Sequence, residues 1–206
     1  MTRLYLIRHG ENDWVGKRLP GWTRGLHLNV RGRAQAERLA EVLAHQRFQA
    51  IYSSPLERAR ETAEPIARSQ GLTLQLRPGL RDVNVGRWQG QPLRLLRLRK
   101  LWTVIQHSPS RARFPDGESF AEAQARLVSE IETYLIDPKS PKAAVAVVSH
   151  ADPIKLVICH YLGLALDLFQ RLALEPASIS ILHLGEGPAR LIRWNDVHAV
   201  ESLAPR

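Results

Sequence analysis

The sequence predicts an α/β fold: a three-layer α/β/α sandwich with a mainly parallel sheet and an antiparallel edge. Three observations carry that prediction. Short apolar runs alternate along the chain with longer segments of helical periodicity, as in strand–crossover–strand units. The runs at 3–8, 50–53 and 143–149 are each followed by a polar junction and then a helical segment. Towards the C-terminus two further runs are separated only by Gly185-Glu186-Gly187-Pro188, which reads as a hairpin and so as an antiparallel addition.

The elements follow in order. Residues 3–8 form the first strand, with Leu4, Tyr5, Leu6 and Ile7 continuously apolar, as befits a strand covered on both faces. Asn29 precedes a helix whose apolar face is Ala36, Leu39, Ala40 and Leu43. A short strand at 50–53 leads into Ser54-Pro55-Leu56-Glu57, a capping-box spacing with proline at the first helical position. That spacing predicts a helix from residue 55 with Leu56, Ala59, Ala63, Ile66 and Ala67 inward. Residues 72–77 form a third strand. The stretch 78–117 is the least regular, broken by Gly79, Gly86, Gly90, Pro92, Pro109 and Pro115. Within it, a helix through Arg94–Lys100 and onward would turn Leu95, Leu98, Leu101, Trp102 and Ile105 towards a core. A helix over 119–135, a strand over 143–149, a helix capped by Asp152-Pro153 and ending near Gly163, and a hairpin of 178–184 with 189–194 complete the layout. The tail 195–206 has little pattern.

The chain has 206 residues, 44% hydrophobic and 24% charged, with neither an internal repeat nor a Gly/Ser/Pro linker. One domain spanning 1–206 is expected. A single cysteine, Cys159, excludes an internal disulfide and, lying in an apolar run, reads as a small buried hydrophobe. The first strand begins at once, leaving no room for a signal peptide, and no apolar run approaches the ~18 residues of a membrane span. The expectation is a soluble, cytoplasmic protein with no membrane partner. The net charge of +9 favours anionic partners. The basic residues are scattered among acids in helical segments, without a nucleic-acid-binding motif, which argues against DNA or RNA. The dense cluster Arg94–Lys100 is either a solvated cationic face or a rim that attracts a polyanionic substrate.

Three strand ends carry groups suited to phosphate. The first is Arg8-His9-Gly10, the second Ser53-Ser54-Pro55-Leu56-Glu57-Arg58, the third Val147-Val148-Ser149-His150. If these strands are parallel, all three junctions open on one edge of the sheet, where open α/β folds bind ligands. Two arginines, two histidines and helix N-termini would then converge on one anion. A histidine there can act as a nucleophile as well as a base, which suggests phosphoryl transfer to His9. Taken alone, His150 reads as a hydrogen-bonded histidine at a strand end and Arg58 as a solvated helix residue; the shared edge reverses both readings. The remaining histidines, His27, His45, His107, His160, His183 and His198, lack a ligand spacing and read as structural or exposed. Trp22 and Trp88 read as packing residues.

In this order the motifs resemble the histidine phosphatase superfamily, branch 1, the phosphoglycerate mutase-like proteins. The resemblance covers nearly the whole chain. It runs through Arg8-His9-Gly10-Glu11, Gly21-Trp22, 28–36, Ser53-Ser54-Pro55-Leu56-Glu57-Arg58-Ala59 with Thr62-Ala63, Leu80-Arg81-Asp82 to Gly86-Arg87-Trp88-Gln89-Gly90, Pro115-Asp116-Gly117-Glu118-Ser119, and Val148-Ser149-His150. It implies that His9 takes the phosphoryl group as a phosphohistidine that water hydrolyses. Arg8, Arg58 and His150 would hold the phosphoryl oxygens, and Asp82 would protonate the leaving alkoxide and then deprotonate water. No metal or other cofactor is implied. Three positions depart from many relatives. Asp82 and Gln89 stand where those have Glu, and the shorter aspartate leaves Glu11 and Glu118 as alternative acids. Val15 stands where many have a phosphate-binding Asn, a role for which Asn12 is a substitute at a different spacing. The resembling mutases carry a longer insertion after the acid than 91–116 provides, and an Asn-Glu-Arg where this chain has Leu80-Arg81-Asp82. Hydrolysis of a small anionic phosphate ester is therefore expected. Phosphoglycerate mutase-type transfer and a non-catalytic phosphate-binding regulatory module are the alternatives, and assembly into a homo-oligomer is left open. The segments 14–27 and 87–117 are expected to wall the pocket with Arg18, Arg24, Arg87, Arg94, Arg111 and Arg113 and with Trp14, Trp22 and Trp102.

Overall fold

The computed structural model describes residues 2–136 and 143–198. Six strands form one mixed sheet: β1 (Thr2–Arg8), β2 (Ala50–Ser53), β3 (Leu74–Leu76), β4 (Ala144–Ser149), β5 (Ile179–Leu184) and β6 (Arg190–Asp196), in the order β3-β2-β4-β1-β5-β6. The first four pair parallel, and β5 and β6 add the antiparallel edge. Helices α1 (Val30–Leu43) and α2 (Glu57–Gln70) cover one face, while α5 (Phe120–Glu130) and α6 (Ala151–Leu162) cover the other. The two short helices α3 (Leu93–Leu96) and α4 (Lys100–His107) lie in the irregular segment between α2 and α5.

Strand alternation divides the core. Tyr5, Ile7, Ala146 and Val148 pack under α1 and α2 with Leu39, Ala63 and Ile66. Leu4, Leu6, Val145 and Val147 face the other way, onto Phe120, Leu127, Ile154 and Ile158. Side chains of a strand alternate between faces, so burial on both sides requires the unbroken apolar runs seen in β1 and β4. Cys159 is buried among these apolar residues, as its surroundings in the sequence predict.

Several local expectations change. Helix α2 starts at Glu57 rather than residue 55, because the hydroxyl of Ser54 is engaged elsewhere: Leu56 N donates to its Oγ and His150 Nε2 lies 2.9 Å from it. Helix α6 starts at Ala151 with His150 at the N-cap. Asp152 therefore sits inside the first turn and pairs with Lys155 at 2.9 Å instead of capping. The predicted single helix from Arg94 breaks at Arg99, whose extended ψ of 140° separates α3 from α4. The break rotates the leucines. Leu96 becomes fully buried while Leu95 and Leu98 are 46% and 83% exposed; Ile105 is buried as expected. The third strand shortens to three residues. The helix predicted over 119–135 has a capping box of Ser119 and Glu122 at its start and widens into a π turn at Ile131–Leu135. Of the tail, Asn195 and Asp196 belong to β6, and 199–206 lie outside the described residues. Among the described residues no helix is long and apolar enough to cross a membrane.

Helix α1 and the β1 end meet through glycines. A Cβ on Gly32 would stand 2.0 Å from the carbonyl oxygen of Glu11, and one on Gly10 would stand 2.7 Å from that of Gly32. Backbone cannot step aside as a flexible side chain can. Gly32→Ala should therefore destabilise the protein by about 1–3 kcal/mol through overpacking, outweighing the ~1 kcal/mol that alanine gains over glycine in a helix. A urea unfolding midpoint that rose on substitution would contradict this packing.

Candidate active site

The register of the three central strands brings their junctions level. Arg8 on β1 is opposite Ser149 on β4, and Ser53 on β2 is opposite Val148. Past the last pairs, His9 N donates to Ser149 O at 2.9 Å and Ser54 N to Val148 O at 3.0 Å. The carboxyl ends of β2, β4 and β1 thus deliver Ser54, His150 and His9 side by side. Helix α2, one residue past the Ser54-Pro55-Leu56 turn, adds Arg58.

His9 is buried, and its Nδ1 lies 2.7 Å from the carbonyl oxygen of Gly10. A carbonyl can only accept, so Nδ1 carries the proton and Nε2 keeps its lone pair. Burial, with Arg58 and Arg8 nearby, holds the His9 pKa well below the ordinary histidine value, so the imidazole is neutral at pH 7. Nucleophilic attack needs that state. Ala177, in the turn before β5, supports the same junction: its N–H reaches the carbonyls of both Arg8 and His9, at 3.1 and 3.2 Å, from a left-handed backbone with φ of 57°. A non-glycine residue in that conformation costs roughly 1–2 kcal/mol, which the surrounding contacts must offset.

Arg58 is fully buried. Its Nη2 donates to Gly21 O at 2.8 Å and to Asp82 Oδ2 at 3.2 Å. Arg8 is held by its Nη1 donating to Leu174 O. His150, whose ring centroid is 5.2 Å from that of His9, also has its pKa held well below the usual value, by burial first and then by Arg58. Its Nδ1 lies 3.8 Å from Asp82 Oδ2. Four buried nitrogens of this cluster, Arg8 Nε, Arg58 Nε, His150 Nδ1 and Asn12 Nδ2, have no hydrogen-bond partner among the described residues. Unpaired buried donors are costly and uncommon. Four in one place mark a site built for an anion with several acceptor oxygens.

Asp82 is the carboxylate brought to this cluster. Val83 N donates to its Oδ1 at 2.9 Å, which leaves Oδ2 towards Arg58 and His150. Burial pushes its pKa up to about 6, against the opposing pull of Arg58. The other two carboxylates are committed elsewhere. Glu118 takes Arg126 Nε and Nη2 at 2.8 and 3.0 Å, and Glu11 faces Asn29 and Arg31 beside α1. Asn12 is buried, with Trp14 N donating to its Oδ1 at 2.9 Å; this orients the amide so that both Nδ2 protons remain to be given.

Other pocket-wall residues have local partners. Arg87 pairs with Asp116 and Arg113 with Glu122, both on the surface. Trp22 does more than pack: its Nε1 donates to Asp82 O at 2.6 Å. Trp88 is a core residue edge-on to Phe114. Four supporting residues have no role assigned by sequence reasoning: Thr62, Gln35, Ser149 and Arg126. Thr62 Oγ accepts from Gly10 N and donates to Arg58 O, while Gln35 Oε1 accepts from Glu11 N. Both are polar residues on the apolar stripe of a helix, and that misplacement is the sequence signal by which they can be found.

One buried and one partly buried arginine, two neutral imidazoles and a carboxyl group at the carboxyl edge of the parallel strands define an oxyanion-binding α/β protein equipped for acid–base chemistry. The family model of the histidine phosphatase superfamily, branch 1, matches residues 4–197, and the chain belongs to that family. Phosphoserine phosphatase 1 of Hydrogenobacter thermophilus is 29% identical over 205 residues, 95% of this chain and 92% of that one. A probable phosphoglycerate mutase, GpmB, of Yersinia pestis is 31% identical over 197 residues, 94% of this chain and 90% of that one. The solved structure of Bacillus stearothermophilus YhfR superposes with a TM-score of 0.89 at 27% identity, covering 98% of this chain and all of that one.

The raised pKa of Asp82 has a consequence for stability. Below about pH 4 the group is protonated folded or unfolded and makes no difference. Above its folded pKa of about 6 the fold must hold a carboxylate that the unfolded chain releases near 3.8, a cost of about 3 kcal/mol. The stability of Asp82→Asn relative to wild type should therefore rise between pH 4 and pH 7. Urea unfolding of both proteins at the two pH values measures it, and a difference independent of pH contradicts the raised pKa.

Proposed function

We propose that the chain is a phosphomonoesterase acting on a small anionic phosphate ester through a phosphohistidine on His9. The observation that carries this reading is the neutral His9 imidazole with Nδ1 committed to Gly10, beside Arg8, Arg58 and His150. In the first step the lone pair of His9 Nε2 attacks phosphorus and the ester P–O bond breaks. The ring becomes cationic, and the Gly10 carbonyl on Nδ1–H stabilises that charge. Arg8 and Arg58 donate to the phosphoryl oxygens where negative charge builds. With the Ser54 hydroxyl donating to its Nε2, His150 presents Nδ1–H, and this group and Asn12 Nδ2 supply neutral donors, Asn12 taking the place that Val15 cannot fill.

Asp82 gives its proton to the leaving alkoxide in the first step. In the second it takes a proton from water as water attacks the P–N bond, releasing His9 and inorganic phosphate. A group that ionises near pH 6 is matched to both tasks. An arriving phosphate dianion raises its pKa further, since a like charge disfavours the carboxylate, so substrate itself loads the acid. The names of the relatives, a phosphoserine phosphatase and a probable phosphoglycerate mutase, support a small phosphorylated metabolite as the class of substrate. The absence of a membrane-crossing helix among the described residues is compatible with action in the cytoplasm as one domain.

The test is phosphate release from a panel of phosphomonoesters. His9→Ala should abolish both turnover and the acid-labile radiolabel that wild type takes from labelled substrate; release that survived the substitution would overturn the reading. Asp82→Asn should slow alkyl phosphates by about 10²-fold or more, the usual contribution of a general acid, and aryl phosphates, whose leaving groups need no proton, far less. Phosphoglycerate supplied with a bisphosphoglycerate primer separates the mutase alternative: isomer interconversion without free phosphate would replace hydrolysis as the reaction.

A further inference from the structure

The loop that carries Asp82 has little structure of its own, yet four consecutive carbonyls in it are each held by a donor from elsewhere. Arg126 Nη1, on α5, donates to Gly79 O at 2.6 Å and to Arg81 O at 3.2 Å. Ser149 Oγ, at the end of β4, donates to Leu80 O at 2.8 Å. The carbonyl of Asp82 itself takes two donors, Arg126 Nη2 at 3.1 Å and Trp22 Nε1 at 2.6 Å. The guanidinium is fixed in turn. Glu118 accepts its Nε and Nη2 in a two-pronged bond, and the Trp22 ring lies 5.9 Å from its Cζ. Glu118 also binds the far side of the loop, accepting from Asn84 N at 2.9 Å while its own N–H donates to Asn84 O at 2.8 Å.

We propose that Arg126, locked by Glu118 and assisted by Trp22, is a positioning residue that sets the reach of the Asp82 carboxyl towards the leaving-group oxygen. Among the described residues none of the three side chains hydrogen-bonds to Arg8, His9, Arg58 or His150, and all three act on the backbone around Asp82. An aspartate has only one methylene between backbone and carboxyl, so its reach is decided almost wholly by where that backbone lies. A guanidinium suits the task because its planar fork can serve three carbonyls and a carboxylate at once, which an ammonium cannot do in the same geometry. The inference rests on the reading of Asp82 as the acid.

The experiment is a comparison of alkyl and aryl phosphates as substrates of Arg126→Lys and of Trp22→Phe, which retains a smaller aromatic ring and removes one donor. A misplacement of about 1 Å costs up to ~10²-fold. Arg126→Lys should therefore lower kcat on alkyl phosphates by about ten- to a hundredfold, with aryl phosphates nearly unaffected and KM for both little changed. Trp22→Phe should shift the same ratio in the same direction, so the inference stays testable if Arg126→Lys does not fold. On an Asp82→Asn background neither substitution should add an alkyl-selective loss, because the group they position is gone. Equal losses on both substrate classes, or losses that multiply on the Asp82→Asn background, overturn the positioning role. If Asp82→Asn is alkyl-selective and Arg126→Lys and Trp22→Phe are not, this inference alone fails. If Asp82→Asn is itself unselective, the assignment of the acid fails and this inference with it.

Discussion

The structure depends above all on keeping a fully buried guanidinium, Arg58, charged. Removing such a cation from water costs several kcal/mol even after relaxation, and burial lowers its pKa. Three acceptors offset that cost: the carbonyl of Gly21 and the carboxylate of Asp82, which meet the same Nη2, and the carbonyl of Thr23, which takes Nη1 at 3.5 Å. Each requires a particular piece of chain to come close. Gly21 adopts a left-handed φ of 49° to present its carbonyl, and the 79–82 loop must lie across the sheet edge to bring Asp82. A pocket that looks like a phosphate site is, before any ligand arrives, the solution to a charge-burial problem.

That solution also sets the protonation states. Burial, reinforced by the same positive field that favours an anion, holds His9 and His150 neutral, and burial also holds Asp82 near the point of protonation. A neutral imidazole and a carboxyl group close to its ionisation point are thus products of one environment: low dielectric with fixed cations. The hydrogen bonds around them set direction. Gly10 determines which nitrogen of His9 is free, and Val83 N turns Oδ2 of Asp82 inward.

The acid loop shows how two distant motifs become one object. Gly86 and Gly117 pack backbone against backbone: a Cβ on Gly86 would stand 2.0 Å from Pro115 O, and one on Gly117 would stand 2.3 Å from Asn84 O. This contact places Glu118 beside Asn84 and so beside Arg126. The motif around Asp82 and the motif around Glu118 are separated by α3 and α4 in sequence, yet they form a single support.

Much of this was legible in the chain. Continuous apolar runs at β1 and β4 require two covered faces, and three polar junctions after strands predict one edge; both inferences need only the periodicity of strands and the rule that parallel strands end together. Arg8, His9, Arg58 and His150 followed from position relative to those ends. Where local rules failed, a distant partner had claimed the group. Ser54 could not serve as a helix cap because His150 took its hydroxyl, and the leucines of 94–105 could not be placed because Arg99 broke the helix. The sequence by itself determined the layers, the order of reactive residues and the sign of the pocket, since these depend on local pattern and strand polarity. Only the tertiary structure decided which carboxylate lies beside Arg58 and His150 and what holds it there. Asp82, Glu11 and Glu118 are alike as residues, and a few ångströms of backbone, held across 44 residues by Arg126, separate the one at the phosphate site from the two that are not.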